Sequence, residues 1–308
     1  MSGAPLRLSA EQVFGWRLRR QFLVEPAGSA LEVVRRLAGV QAQVASAAEL
    51  AVAVRSAEPA ADALAGTLRA GKALRTWAMR GTLHVLTPEL AAAALALLAS
   101  TRTWEKPVWT RNFGATPEQI TALGAAVAEI LADTALSREE LVAAVVARPG
   151  LAHLDEQLRS GWGAVLKPLA WQGILCHGRA QGSRVTFTTP ARAVTGWQGL
   201  PEPDAAAAIL IPAYLGAYGP AAPETFDAWL SRNALRKTVL RRWFAELGDV
   251  LTPVEVDGRG CYARTADLDE LAAAAPVPGR CCSAASTSTC SGRAPPTPRW
   301  CPPRTAPR

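Results

Sequence analysis

The sequence has few of the groups on which catalytic and metal sites commonly depend. Its 308 residues include three histidines, and no paired carboxylates, metal-ligand cluster, phosphate-binding loop or dinucleotide fingerprint stands out. The longest apolar run, residues 90–99, is too short to span a bilayer, and the chain does not open with a charged segment followed by an apolar stretch. We therefore expect a cytoplasmic protein that holds no metal or cofactor and does not enter a membrane.

The sequence does contain enough apolar residues for a sizeable core. It is 49% hydrophobic and 19% charged, and its length allows two or three small domains. The net charge of +7 is unevenly placed, because five of the 33 basic residues lie after Gly279, where no acid occurs. The body is therefore close to neutral, and any case for nucleic-acid binding must rest on local patches and motifs.

The composition changes abruptly after residue 279. Residues 280–308 lack apolar periodicity and hold four of the six cysteines, in a spacing that fits no common zinc pattern. Because a one-base shift turns CTG leucine codons into TGC cysteine codons, we predict a disordered, frameshifted tail; a natural disordered tail is the alternative. Resequencing the gene distinguishes the two. Cys176 and Cys261, in the body, are expected to be structural thiols.

The body consists of three similar passages, each a set of helices followed by a short two-stranded hairpin. This order is typical of winged-helix modules, and the passages cover residues 7–100, 115–195 and 205–275. We therefore predict a mainly α fold with small β wings, of the α+β class, built from three tandem winged-helix modules.

Capping patterns and turn residues predict boundaries within these modules. Helices should begin after Ser9, Thr116 and Ser137, each of which has Gln or Glu three residues later. One continuous helix is expected over residues 158–171. The clearest hairpin turn is Asp-Gly at the start of residues 257–260, and a second is expected at Arg80-Gly81.

Winged helices commonly place a helix near a DNA groove while basic side chains contact phosphates. Arg232 and Arg236 have the spacing of residues that share one face of a helix, so they are candidate DNA contacts, together with Arg80. Winged helices also serve as protein-interaction domains. A non-catalytic DNA-binding or regulatory protein is therefore the alternative to an enzyme.

Two glutamines one residue apart, Gln41 and Gln43, are the candidate catalytic residues. A glutamine amide cannot act as a base near neutral pH, but its carbonyl accepts and its NH2 donates, so two amides can hold a water molecule. Such a site suits a reaction whose leaving group is already activated. Residues i and i+2 share a face only in extended chain, so residues 40–44 must be extended or lie at a helix end.

Three segments carry a family resemblance. They are Val40-Gln41-Ala42-Gln43, Arg80-Gly81-Thr82-Leu83-His84-Val85-Leu86, and Tyr218-Gly219-Pro220-Ala221 with Phe226, Ala228 and Trp229 after it. These segments resemble the bacterial winged-helix DNA glycosylases, which include azinomycin-resistance enzymes that unhook interstrand crosslinks. The resemblance extends over residues 7–279. It implies excision of N7-alkylated purines from double-stranded DNA, with Gln41 and Gln43 as the catalytic pair.

The chemistry of such a substrate fits two neutral amides. Alkylation at N7 makes the purine cationic, so the N-glycosidic bond breaks toward a neutral base without a general acid. The enzyme must then position water and stabilise an oxocarbenium-like sugar. His84, near the pair, could hydrogen-bond a phosphate or the lesion, or it could be a satisfied residue of a wing strand.

The chain departs from the family in one respect. Family members carry a C-terminal β-barrel and a Leu-Leu-Pro-x-Phe-Asp-like segment after the third module, and the cysteine-rich tail stands where these belong. We therefore expect the barrel to be absent or disrupted, which would lower stability or activity. The protein is expected to be a monomer that joins the nucleoid when it binds DNA.

Overall fold

The computed structural model describes residues 5–161, 163–182 and 184–277. The predicted frameshifted tail at 280–308, with its four cysteines, lies outside these residues. Within them the chain is mainly helical with two small sheets, which confirms the α+β class. No helix in the described ranges is both long and apolar enough to cross a membrane.

The α-helices are mostly short and are distributed along the whole described chain. They are α1 Ala10–Arg20, α2 Ala30–Arg36, α3 Ala45–Ala53, α4 Ala63–Arg69, α5 Pro88–Ser100, α6 Pro107–Phe113, α7 Pro117–Ile130, α8 Arg138–Val146, α9 Asp155–Arg159, α10 Lys167–Trp171, α11 Pro190–Ala193, α12 Pro203–Tyr218, α13 Pro223–Ser231, α14 Lys237–Glu246 and α15 Leu268–Ala272. The predicted capping boxes are present at Ser9, Thr116 and Ser137, where side chain and backbone exchange hydrogen bonds.

The strands form two sheets. They are β1 Leu6–Leu8, β2 Val40–Gln41, β3 Leu74–Trp77, β4 Leu83–Leu86, β5 Leu136–Ser137, β6 Cys176–His177, β7 Thr186–Thr188, β8 Leu251–Val256 and β9 Arg259–Arg264. The larger sheet has the order β2-β4-β3-β6-β7-β5, and the smaller has the order β1-β8-β9. Neither sheet closes into a barrel within the described chain.

The larger sheet joins two hairpins that the sequence predicts separately. β3 and β4 are the first predicted hairpin, with a 3-10 turn at Met79–Gly81 between them. β6 of the next hairpin pairs with β3 through a single register pair, Arg75 opposite His177. The first two predicted wings therefore share one sheet, and β2, which carries Gln41, is its edge strand.

The smaller sheet contains the predicted Asp-Gly hairpin. The turn has two central residues, Asp257 and Gly258, with φ of 46° and 76°, as a type I′ turn requires. The chain start adds β1, which pairs in parallel with β8 and was not predicted. This parallel pair joins the N-terminal segment to the last hairpin.

The predicted helix over residues 158–171 is wrong. α9 ends at Arg159 and α10 begins at Lys167. Between them Gly163 takes a left-handed conformation with φ +60°, and the ring of Trp77 packs where a Cβ atom of Gly163 would lie. The chain therefore turns at Gly163 so that this module can pack against β3 of the first hairpin.

Three apolar clusters support these sheets. The largest packs α5 against α12 and includes most of the second predicted module. A second cluster packs α2, α3 and α4 against one face of β2 and β4, through Val40, Ala42 and Val85. The third joins α1, α15 and the smaller sheet. Burial of Val40 and Ala42 in the second cluster fixes which way their glutamine neighbours point.

Candidate active site

Gln41 and Gln43 lie on the same side of an exposed sheet edge. Val40 and Ala42 are buried, whereas both glutamines are exposed, so the segment alternates as a strand does. In the register of β2 with β4, Gln41 stands opposite His84. The extended geometry that joint action of the two amides requires is therefore present.

The amide of Gln43 is held by the neighbouring strand. The backbone N–H of Leu83 donates to Oε1 of Gln43 at 3.2 Å, next to the ladder bond from Ala42 N–H to the Leu83 carbonyl at 2.7 Å. Because a peptide N–H only donates, the oxygen of this amide must face Leu83. The Gln43 NH2 group therefore remains for a ligand, while the Gln41 amide makes no hydrogen bond to any other described residue.

The first turn of α3 begins two residues after Gln43. Its N-cap residue, Val44, supplies no side-chain hydrogen bond to the first backbone N–H groups. The positive end of the helix dipole therefore lies beside the glutamine pair without a side-chain cap. Val44, Leu50 and Val54 are more than half exposed along this helix. The surface next to the glutamines is therefore apolar, with amide groups at its edge.

His84 is buried at 3% exposure, and its Nδ1 lies 3.0 Å from the carbonyl oxygen of Thr82. Burial lowers its pKa to about 4, against the opposing effect of the Thr82 hydrogen bond, and Arg80 lowers it further. The imidazole is therefore neutral near pH 7. With Nδ1–H donated to Thr82, Nε2 can only accept, which favours a structural role over donation to a phosphate.

Arg80 occupies the turn between β3 and β4 with a left-handed φ of 57°. Its Nη1 donates to the carbonyl of Trp229 in α13 at 3.1 Å, so it ties the first hairpin to the third predicted module. Burial is the main cause that lowers its pKa, the phenol of Tyr218 opposes the shift, and Arg232 adds to it. Arg80 is half-buried and positions this turn.

Arg232 and Arg236 do not share a helix, so that prediction is wrong. Arg232 ends α13 and Arg236 is the N-cap residue of α14. The break arises because Arg232 and Asn233 both adopt left-handed φ values, 60° and 63°. Both arginines are exposed, and only Arg232 lies close enough to Arg80 to affect its pKa.

Sequence reasoning did not identify Lys167, which lies at the same turn. A Cβ atom at Gly81 would lie 3.9 Å from Nζ of Lys167. Its pKa is lowered first by burial and then by Arg232. Arg80, Lys167 and Arg232 therefore form a cationic cluster at the end of the first hairpin. A lone Lys before Pro168 carries no sequence signal that could have predicted it.

Candidate metal ligands and the two body cysteines are the remaining reactive groups in the described residues. Within them no group of three or more His, Cys, Asp or Glu side chains could hold a metal ion. Cys176 is buried, and burial raises the pKa of its thiol to about 12, so it is an unreactive structural thiol as predicted. Cys261 is half-buried, and burial raises its pKa as well.

Known proteins resemble this chain over most of its length. The family model described as DNA glycosylase AlkZ-like matches residues 34–283. An interstrand DNA cross-link repair glycosylase from Streptomyces sahachiroi is 51% identical over 277 residues, which cover 89% of this chain and 74% of the relative. The solved structure of the Streptomyces sahachiroi DNA glycosylase AlkZ superposes with a TM-score of 0.85, at 51% identity, covering 88% of this chain and 74% of that one.

These similarities support the enzyme rather than the non-catalytic alternative. Both the family model and the relative are named as glycosylases, and the residues that the family model matches include both glutamines. The chain therefore belongs to the AlkZ-like DNA glycosylase family and is a hydrolase that acts on DNA.

Proposed function

We propose that this glycosylase hydrolyses the N-glycosidic bond of N7-alkylated purines in double-stranded DNA, with Gln41 and Gln43 as its catalytic residues. The observation that carries the proposal is the pair itself, two neutral amides on one exposed edge with one of them oriented by Leu83. Neutral amides provide no general acid, so the substrate must bring its own activation. An N7-alkylated purine does so because its ring is already cationic.

The fixed orientation of Gln43 supports different roles for the two glutamines, with Gln43 as hydrogen-bond donor and Gln41 as acceptor. The Gln43 NH2 group donates a hydrogen bond to the oxygen of the attacking water, and the Gln41 carbonyl accepts a hydrogen bond from one of the water O–H groups. As the bond between sugar carbon and purine breaks, its electron pair neutralises the cationic base. A lone pair of the water then bonds to the sugar carbon, and a proton leaves to solvent. The Gln41 carbonyl dipole stabilises the sugar cation meanwhile.

Three tandem winged-helix modules, at 7–100, 115–195 and 205–275, are the proposed framework for DNA binding. Two hairpins joined in one sheet and a third in a separate sheet support this division. The enzyme acts as a monomer and without a bound metal in this proposal. The glycosylase relative is named for interstrand cross-link repair, and we extend that substrate class to this chain.

The cationic cluster of Arg80, Lys167 and Arg232 is the proposed phosphate contact beside the lesion. In that role Lys167→Met should weaken duplex binding uniformly across sequences and reduce the slope of log affinity against log salt by about 1. Arg236 is the fourth proposed contact. An unchanged salt slope for Lys167→Met would remove Lys167 from the interface.

The catalytic assignment is tested by release of 7-methylguanine from N7-methylated duplex DNA under single-turnover conditions. Gln41→Ala and Gln43→Ala should each slow release about 100-fold, the usual effect of removing one preorganised transition-state contact. Gln198→Ala, at an exposed position outside the site, is the matched control and should release at the wild-type rate. Release that neither alanine substitution changes would refute the assignment.

Glutamate substitutions separate the two roles. Gln43→Glu keeps an oxygen for Leu83 N–H but loses the donor, so its rate should fall as far as that of Gln43→Ala. Gln41→Glu keeps the acceptor and adds a negative charge, so it should stay active. Faster release by Gln43→Glu than by Gln41→Glu would contradict these two roles. Strand separation of a crosslinked duplex on a denaturing gel then tests crosslinks with the same variants.

A further inference from the structure

A cavity of about 680 Å³ lies on the opposite face of the larger sheet from the glutamine pair. Val85 lines it, and the partner of Val85 across β2 is Val40 rather than Gln41. One wall consists of α3 and α4, and the other consists of α11 and residues 178–181 after β6. A cavity of this volume holds a drug-sized molecule.

Positive charge dominates the lining. Arg69, Arg75, Arg179 and Arg192 all line the cavity, and none of them forms an ion pair with an acid among the described residues. The one carboxylate in the lining, Glu49, already accepts two backbone N–H bonds at the start of α4, at 3.0 and 2.8 Å. The cavity therefore has cations without matching anions.

Two buried polar atoms beside the cavity have no partner. Nε of Arg75 and Nε2 of His177 are buried without a hydrogen bond among the described residues. Arg75 and His177 are register partners on β3 and β6, so their side chains share one face of the sheet. A buried donor without a partner is costly unless a ligand completes it. An anionic group would sit at the end of the Arg75 guanidinium, whose Nη atoms also make no hydrogen bond to another described residue.

Part of the lining is apolar, whereas Gln181 and Thr188 add uncharged polar groups on the other side. Ala48, Leu64, Leu68 and Val85 form a wall without polar side-chain atoms. A free inorganic anion would leave this wall uncovered, and a DNA duplex is too wide to enter a cavity of this size. The ligand chemistry that matches both parts is one anionic group on an apolar body.

We propose that this cavity binds a small organic acid, with the anionic group at the Arg75 guanidinium and the apolar body against α3 and α4. The site is separate from the glutamine pair, and it does not rest on the function proposed above. β4, which contributes Val85 to the lining, nevertheless also carries His84 and pairs with β2, the strand of Gln41.

The probe for this site is 8-anilino-1-naphthalenesulfonate, an aromatic body with one sulfonate, titrated by fluorescence into the full chain. N-phenyl-1-naphthylamine, the same body without the sulfonate, is the neutral control. The sulfonate probe should bind one to one and about tenfold or more tighter than the neutral probe, because charge-assisted hydrogen bonds contribute on that scale. Equal binding of the two probes would overturn the proposal.

Two variants locate the probe. Arg75→Met should weaken the sulfonate probe about tenfold and leave the neutral probe unchanged, whereas Ala65→Trp should exclude both by filling the cavity. Arg111→Met, at an exposed arginine outside the cavity, is the control. Circular dichroism checks that each variant folds. If Arg75→Met does not fold, Ala65→Trp still tests the cavity with every arginine in place. Unchanged binding in the folded variants, or displacement of the probe by stoichiometric duplex DNA, would overturn the assignment to a small acid.

Discussion

The first and last hairpins of this protein are of comparable size, yet they differ in what surrounds them. In the β3–β4 hairpin all residues of the two strands are buried except the half-buried Arg75, and its turn contacts α13 through Arg80. In the β8–β9 hairpin most strand residues are at least partly exposed, and the turn is formed by its own two residues. Distant parts of the chain therefore determine the environment of the first hairpin, and local backbone chemistry determines the turn of the last.

This difference is consistent with the proposed position of the site. The proposed catalytic pair needs support that holds it in one geometry, and the buried hairpin holds Gln43 through the Leu83 N–H bond. An exposed hairpin has no such surroundings. Glycine-to-alanine substitutions and acid test whether the two hairpins differ in this way. Gly163→Ala and acid act on the surroundings of the first hairpin, and Gly258→Ala acts on the turn of the last.

Among the substitutions, the largest effect is expected where residues of the second predicted module pack on the first hairpin. Gly163→Ala places a methyl group against the ring of Trp77 and forces a side chain into a left-handed conformation. We expect the free energy of unfolding to fall by about 3 kcal/mol, from overpacking and backbone strain together. Urea unfolding measures the change.

Gly150→Ala isolates the packing contribution. Gly150 also has a left-handed φ, +78°, but nothing lies within 4 Å of its missing Cβ atom. It should therefore cost only the backbone strain, about 1 kcal/mol. Equal losses for the two variants would mean that the packing on Trp77 contributes nothing.

Acid perturbs the same sheet without a substitution, through His84 on β4 and His177 on β6. Burial, with help from nearby arginines, lowers their pKa values to about 4 and about 3 from 6.5. As pH falls below 6.5, the unfolded chain takes up protons that the folded chain does not. Stability should therefore fall with pH between about 6 and 4, by about 1.4 kcal/mol per pH unit for each imidazole.

The measurement is the free energy of unfolding in urea at pH 7.5 and pH 5. His177→Phe, which keeps a ring against Trp77 and Phe187, should reduce the difference between the two pH values by about half. His153→Gln, at an exposed histidine, is the control. If His177→Phe and the wild type lose the same stability on acidification, the sheet does not hold His177 neutral.

The two hairpins also differ in how much of them the sequence predicts. Asp257-Gly258 predicts the last turn because the signal is local: both residues tolerate positive φ. The first hairpin is predicted as a hairpin, but its pairing with β6 joins residues about a hundred positions apart, and no local pattern encodes that. The helix predicted over 158–171 fails for the same reason, because Trp77 from another module requires the turn at Gly163.

The candidate site likewise has features that the local sequence predicts and features that it does not. Alternation of buried and exposed residues around Gln41 and Gln43 is encoded locally and meets the geometric condition stated from the sequence. The Leu83 contact to Gln43, the Trp229 contact to Arg80 and the presence of Lys167 at the turn all depend on tertiary packing. The spacing of Arg232 and Arg236 predicts one helix, and the sequence does not reveal the break because two consecutive non-glycine residues in the left-handed region are uncommon.

The smallest effect is expected at the last hairpin. Gly258 has a φ of +76° and nothing within 4 Å of its missing Cβ atom, so Gly258→Ala should lower the free energy of unfolding by about 1 kcal/mol, from backbone strain alone. Gly260→Ala, two residues away in β9, also meets no neighbour and has no left-handed φ, so it should stay within about 0.5 kcal/mol of wild type. Urea unfolding compares the pair. A loss at Gly258 as large as that at Gly163 would mean that the last turn, too, is held by surroundings beyond its own residues, because strain in one exposed residue cannot account for it.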